Sequence, residues 1–254
     1  MIKFFRKIRY DLMEKNKTGK YLKYAVGEII LVVIGILIAL SINNWNELRK
    51  EKETVKSSLE AMKSNINEDI TDLKKQKDYN TELRERVSFA LKIIALPQYA
   101  NQPLTIYADS IGDITQVRHF FPTSIALRSM QSNSHFQYIK DENLKESIYR
   151  YYDELDYFSN VTENNVLFSD KRMEEFVFDQ MEISSYWPGS NPYKTKSLNS
   201  ELNNTNVLRN SNVIENVLIG RRLRAGGEIE RSENAILASQ KLIEKIENYL
   251  NEGQ

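Results

Sequence analysis

Glu28 is the ionisable residue whose position has the clearest chemical consequence, because it lies inside the apolar run from Ala25 to Ile42. A carboxylate inside a bilayer costs several kcal/mol to ionise, so a residue of this kind is either functional or neutralised by a neighbour. Lys20 and Lys23 lie in the preceding turns of a helix that carries the run, at a spacing suited to pairing with Glu28.

On such a helix, Glu28, Val32, Gly35 and Ala39 share one face. Gly35 and Ala39 are small residues four positions apart, a spacing that lets a second helix approach closely. Three interpretations of Glu28 stay open at this point. The face packs against another helix, Glu28 carries protons or ions, or Glu28 faces lipid and its carboxylate reaches the membrane surface. The first interpretation predicts that these four residues form a transmembrane interface.

No motif of a known catalytic chemistry is found elsewhere in the sequence. G-x-S-x-G, a phosphate-binding loop and H-E-x-x-H are all missing. The 2 histidines, His119 and His135, have no second histidine and no carboxylate cluster at metal-ligand spacing. With 0 cysteines, thiolate catalysis, iron–sulfur clusters and cysteine-bound zinc are excluded. We therefore expect no catalytic residue, no metal and no cofactor, and predict that the protein is not an enzyme.

Two clusters of side chains have a structural and a functional interpretation. Tyr151 and Tyr152 share a helical face with Leu155 and Phe158, which favours core packing over an aromatic ligand cage. Several arginines follow residue 220 and have the chemistry to bind phosphate, but nearby glutamates favour mutual neutralisation along an exposed helix. The arginines are Arg221, Arg222, Arg224 and Arg231, and the glutamates are Glu228, Glu230 and Glu233.

The apolar run itself is long enough to cross a membrane as a helix. At about 1.5 Å per residue it spans roughly 27 Å, close to the hydrocarbon core of a bilayer at about 30 Å. Ala39-Leu40-Ser41 resembles a leader-peptide cleavage site, but the long basic region before the run favours an uncleaved anchor.

Basic residues before the run predict that the N-terminus is cytoplasmic and that the larger C-terminal part lies across the membrane. We expect six of them to contact the membrane surface, together with a short interfacial helix over residues 1–13. The six are Lys3, Arg6, Lys7, Arg9, Lys20 and Lys23.

Composition and hydrophobic periodicity predict an all-α fold. The 35 basic and 35 acidic residues balance, which gives no indication of nucleic-acid binding, and only 9 glycines and 5 prolines favour helices over a turn-rich β fold. Val55, Leu59, Met62 and Ile66 begin an apolar stripe at helical spacing, which Gln76, Lys77 and Asn80 interrupt and weaken.

The chain is therefore predicted to be one transmembrane helix that continues into a long stalk helix and a periplasmic helical bundle. The predicted segments are a basic segment 1–24, a transmembrane helix 25–43, a stalk helix 44–95, a helical region 96–183, a polar loop 184–212 and a C-terminal helix 213–254 that packs on the stalk. Within them we expect a short helix at 109–117, a helix start at Thr123-Ser124, an Asp141 cap, and a kink or break at Gly226-Gly227.

The stretch from Thr18 to Glu47, TGKYLKYAVGEIILVVIGILIALSINNWNE, resembles the signature of an uncharacterised family of Gram-negative single-pass inner-membrane proteins. The resemblance implies an inner-membrane location, a cytoplasmic N-terminus and a periplasmic C-terminal part, and it implies no activity.

Together these features favour a non-enzymatic interaction or scaffold protein that assembles through its transmembrane helix with itself or with a membrane partner. The alternative is an accessory subunit of an inner-membrane transport or motor complex, with Glu28 in an ion path. The partners expected are the lipid bilayer and a second copy or another membrane protein, without nucleic acid or metal.

Overall fold

The computed structural model describes residues 18–99, 117–180 and 206–252, and every regular element in that part of the chain is helical. The predicted all-α fold class is therefore confirmed. The labelled α-helices, in chain order, are α1 (Thr18–Ala95), α2 (Ile125–Ser132), α3 (Glu142–Ser169), α4 (Glu175–Gln180) and α5 (Asn212–Glu252), and residues 206–210 form a further helical turn before α5. The helices predicted at 1–13 and 109–117 lie outside the described residues, apart from Val117, which is not helical.

The chain divides into two compact units, residues 1–56 and 57–254. In the first unit, the run of α1 from Ala25 to Ile42 is apolar around the helix apart from Glu28 and Ser41, and its large side chains are exposed, with Leu31 68% and Leu37 57% accessible. This part of α1 is long and apolar enough to cross a membrane, and none of its most apolar stretch is buried within the protein.

The second unit is built on an antiparallel pair of long helices, α1 and α5. Ion pairs join Lys63 to Glu247 at 2.9 Å and Lys77 to Glu233 at 2.8 Å, so the two helices run in opposite directions. Between them the α1 stripe is buried at Leu59, Met62, Ile66 and Leu73, as its helical spacing requires. Burial of this stripe stabilises the helix pair more than the two ion pairs do, because exposed ion pairs contribute less than about 1 kcal/mol each.

One end of the second unit is closed by a hydrophobic cluster from several segments. Its buried members are Leu83, Val87, Ala90, Ile93, Phe176, Leu208, Ile214, Val217, Leu218 and Ala225. Arg209 Nη1 donates to the carbonyl oxygens of Ile93 and Leu96, both at 3.1 Å, and so caps the last turn of α1.

This cluster corrects the predicted polar loop at 184–212. Residues 206–210 are helical and Leu208 is 1% exposed, while 184–205 lie outside the described residues. The prediction followed the many Asn and Ser residues of this region. Because Val207 and Leu208 pack against the cluster, burial outweighs the low helix propensity of those neighbours.

Side chains of α1 hold the N-terminus of α2. Asn65 Oδ1 accepts the N–H of Ala126 at 2.9 Å, and Asp69 Oδ1 accepts the N–H of Thr123 at 2.7 Å. These bonds replace a local cap, since Ser124 makes no side-chain capping bond to α2.

The start of α3 has the predicted local cap. Asp141 Oδ1 accepts the N–H groups of Asn143 at 2.8 Å and Leu144 at 3.2 Å. At its other end α3 passes through a π-helical turn, Asp170–Glu174, into α4.

The break predicted at Gly226-Gly227 does not occur, because α5 is continuous from Asn212 to Glu252, whereas the alternative, a kink, stays a prediction. Glycine weakens a helix by about 1 kcal/mol relative to alanine, but the adjacent residues Ala225 and Glu228 are both buried. Their tertiary contacts therefore keep the helix continuous through the glycine pair.

Candidate functional site

The most unusual feature of the second unit is a buried carboxylate, Glu228, which is 1% exposed in the middle of the bundle. Gln76 and Asn80 face it from α1, because residues four apart in a helix lie on the same side. These are two of the residues that interrupt the apolar stripe of α1. Instead of weakening the contact between the helices, as predicted, they are buried and supply its polar centre.

Three side-chain amides donate to the Glu228 carboxylate. Oε2 accepts from Gln76 Nε2 at 2.7 Å and Asn80 Nδ2 at 2.9 Å, and Oε1 accepts from Asn165 Nδ2 at 2.5 Å. Gln76 Nε2 also donates to the carbonyl oxygen of Arg118 at 2.9 Å. One carboxylate on α5 thus connects α1, α3 and the segment that precedes α2.

Burial raises the pKa of Glu228, while the three amide donors and the Arg221 guanidinium act in the opposite direction. Arg221 is itself 1% exposed. The predicted neutralisation of arginines and glutamates along an exposed helix is therefore wrong for this pair, because both charges lie inside the bundle. Because Arg221 and Glu228 are both on α5, the attraction between them offsets part of the cost of burying the two charges and does not join one helix to another.

A second buried carboxylate, Asp69, lies two turns before Gln76 on α1 and is 1% exposed. Its Oδ2 is 3.3 Å from the Tyr151 hydroxyl, which is also 3.1 Å from Ser239 Oγ. Ser239 Oγ in turn donates to the carbonyl oxygen of Ala235 at 2.8 Å. This series of hydrogen bonds connects α1, α3 and α5 a second time, and the burial of Tyr151 confirms that it belongs to the core.

Thr123 N–H and the Tyr151 hydroxyl donate to Asp69 and so favour its ionised form, but the Tyr151 hydrogen is shared with a second acceptor. Each hydroxyl has one hydrogen, and that of Ser239 is used by Ala235, so Tyr151 has one hydrogen for two acceptors when Asp69 is ionised. A protonated Asp69 donates to Tyr151 and releases the Tyr151 hydrogen for Ser239. Burial raises the pKa of Asp69 to about 6, despite the opposing bonds from Thr123 and Tyr151.

Both clusters are suited to holding helices together. The Glu228 oxygens are surrounded by N–H donors, so a cation cannot approach them without breaking the amide contacts. Across residues 18–99, 117–180 and 206–252, no three His, Cys, Asp or Glu side chains form a metal-binding group.

The predicted transmembrane interface lies on α1 in the first unit. Glu28, Val32, Gly35 and Ala39 are all helical and share one face, as the spacing requires. Lys20 and Lys23 are in the first turns of the same helix, whereas Lys3, Arg6, Lys7 and Arg9 lie outside the described residues. These placements leave both the interface and the membrane-surface contacts as predictions.

Comparison with known proteins identifies one relationship. Residues 28–220 match the family of unknown function DUF6090. The chain belongs to this family. No curated protein and no solved structure gives a significant match. The matched part of the DUF6090 chain begins at Glu28 and includes Gln76, Asn80 and Asn165, whereas Glu228 lies after it.

Sequence reasoning missed the Glu228 cluster of this DUF6090 protein, although a signal for it was present. Gln76 and Asn80 fall on the core-facing stripe of α1, where a polar side chain requires a hydrogen-bonding partner. The partner is 152 residues away from Gln76 in the chain, and no local pattern marks Glu228 as buried.

We predict that Asp69→Asn stabilises the protein at neutral pH and removes part of its pH dependence. The raised folded pKa, about 6 against an ordinary 3.8, means that the native state binds more protons than the unfolded state between these values. Stability from this group is therefore present below pH 4 and is lost as the pH rises through 6, by up to about 3 kcal/mol. An asparagine keeps the acceptor for Thr123 and gains a donor for Tyr151.

The measurement is the thermal midpoint by circular dichroism at pH 4.5 and pH 7.5. The thermal midpoint of Asp69→Asn should be higher than that of the wild type at pH 7.5 and close to it at pH 4.5. Asp78→Asn, an exposed carboxylate on the same helix, should follow the wild type at both. A variant less stable than the wild type at pH 7.5 would show that the native state needs an ionised Asp69.

Proposed function

We propose that this protein is a non-enzymatic, membrane-anchored interaction protein that assembles through its transmembrane helix. The observation that carries the proposal is the apolar surface of α1 in the first unit, which is exposed on every side. Exposed apolar surface of this extent is unfavourable in water and favourable in a bilayer. The proposed first partner of the chain is therefore lipid.

The proposed location is the inner membrane, with the N-terminus in the cytoplasm and the second unit in the periplasm. Support for this orientation comes from the excess of Lys and Arg before the apolar run, where positive residues are retained on the cytoplasmic side. The resemblance of Thr18–Glu47 to single-pass inner-membrane proteins supports the same location.

The face formed by Glu28, Val32, Gly35 and Ala39 is the proposed contact with a second transmembrane helix. A Cβ atom placed on Gly35 would have no other atom within 4 Å, so the backbone at this position is open to a neighbour. Close approach at small residues is a common basis of helix association in membranes. The helix that packs there is a second copy of this chain or a membrane partner.

An accessory role in a transport or motor complex is the second candidate, because Glu28 is an ionisable group inside the apolar run. The two candidates differ in what Glu28 must do. An interface needs its shape and hydrogen bonding, whereas an ion path needs a carboxylate that gains and loses a proton.

We predict that a thiol in the second unit is accessible from the periplasm and a thiol before the helix is not. The chain has 0 cysteines, so Asn160→Cys and Lys17→Cys each introduce the single reactive group. A membrane-impermeant maleimide should label the first in intact spheroplasts and the second only in inverted vesicles. An N-terminal tag that remains on the mature protein would indicate an uncleaved anchor. Loss of the tag would indicate a cleaved leader. The reverse labelling pattern would contradict the proposed orientation.

We predict that Gly35→Leu lowers self-association or partner association in the membrane at least severalfold, because a larger side chain separates the helices. Gly27→Leu is the matched control, since Gly27 is equally open but lies on another face of α1. Glu28→Leu should weaken association and Glu28→Gln should preserve it. Chemical cross-linking in native membranes provides the measurement.

Equal association of the wild type, Gly35→Leu and Glu28→Leu would refute the interface. Loss of biological activity in Glu28→Gln with intact association would favour the ion path instead.

A further inference from the structure

A groove of about 310 Å³ lies on the surface of the second unit between α3 and α5. Its floor is formed by Tyr151 and Leu242, which are 3% exposed in each case. The Tyr151 hydroxyl is held from below by Asp69 and Ser239, so the aromatic ring is fixed in place. A preformed floor of this kind lowers the entropic cost of binding a ligand.

The rim of the groove is positively charged. Arg150 from α3 and Lys241 and Lys245 from α5 line it together with one carboxylate, Glu154, and Arg150 also pairs with the Glu146 carboxylate at 2.5 Å. Three cations and two carboxylates leave one excess positive charge, which is local because the whole chain has a formal net charge of 0. It creates a field that attracts an anion into a concave surface.

The three cations are positioned to act on one ligand. Lys241 and Lys245 are one helical turn apart on the same side of α5. Lys245 Nζ is 2.7 Å from Ser147 Oγ, which holds its ammonium group across the gap between α5 and α3. Among the described residues, neither lysine forms an ion pair with a carboxylate.

Arg150 completes the rim from the opposite helix. Its Nη2 donates to Glu146 Oε1 at 2.5 Å, which orients the guanidinium group. A guanidinium has five N–H donors, and this bond engages one of them. The planar arrangement of the remaining donors matches the oxygens of a phosphate group.

We propose that this groove binds a small molecule carrying a phosphate monoester. The phosphate contacts Lys241 and Lys245, which form no ion pair among the described residues, and the guanidinium donors of Arg150 that Glu146 leaves available. The organic part of the ligand rests on Tyr151 and Leu242. This binding site is independent of the proposed role of the transmembrane helix.

The test is isothermal titration of the purified full-length protein with glycerol 3-phosphate at constant ionic strength. Lys241→Ala/Lys245→Ala should lower the affinity at least tenfold. Lys74→Ala/Lys75→Ala removes the same number of charges from exposed positions on α1 and should change the affinity less than twofold. The same titration with phosphatidic acid, added in detergent micelles, distinguishes a lipid headgroup from a soluble phosphate ester.

Binding of either ligand supports the site if the substitutions at Lys241 and Lys245 lower the affinity as predicted. Absence of binding to the wild type for both ligands overturns the proposal. An equal loss of affinity in the two double variants also overturns it, because that result indicates non-specific attraction to the total charge of the protein. Circular dichroism of each variant confirms that the fold is intact. Failure here leaves the association measurements on Gly35 unaffected.

Discussion

The arrangement of the second unit depends on the buried carboxylate of Glu228. An ionised group inside a bundle is several kcal/mol unfavourable unless charge or hydrogen bonds replace its lost hydration. Gln76, Asn80 and Asn165 supply those hydrogen bonds, and each reaches Glu228 only when α1, α3 and α5 are in one register. A shift of one helix by a turn leaves the carboxylate and its amide donors buried without partners. The cluster therefore selects this packing against alternatives that bury a similar apolar area.

The two units differ in how α1 exposes its apolar residues. In the second unit α1 has one apolar stripe, and α3 and α5 cover it. In the first unit its apolar residues are exposed on all sides, as expected of a helix surrounded by lipid. The exposed apolar part of α1 supports the proposed membrane anchor. The phosphate-binding groove proposed between α3 and α5 would give that bundle a ligand.

The helices were largely predictable because each depends on local information. The stripe of Leu59, Met62 and Ile66 repeats at helical spacing, and Asp141 precedes its helix at a capping position. The polar contacts were not predictable, because a residue such as Gln76 shows that a buried partner is needed but not where it lies. Glu228 follows two glycines and is close to several charged residues, so its local sequence suggested an exposed helix. Leu208 was missed for a related reason, since its neighbours are polar and its burial depends on α1.

The most direct measurement is a double-mutant cycle between Asn165 and Glu228, with unfolding free energies from denaturant titration of the full-length protein. If Glu228 joins α3 to α5, Asn165→Ala and Glu228→Ala are each destabilising, and their coupling energy is about 1–3 kcal/mol. A cycle between Asn160 and Glu230, both exposed on the same two helices, should show coupling within about 0.5 kcal/mol of zero. Additive effects of Asn165→Ala and Glu228→Ala would contradict the account, because they would mean that the carboxylate does not hold the helices in register.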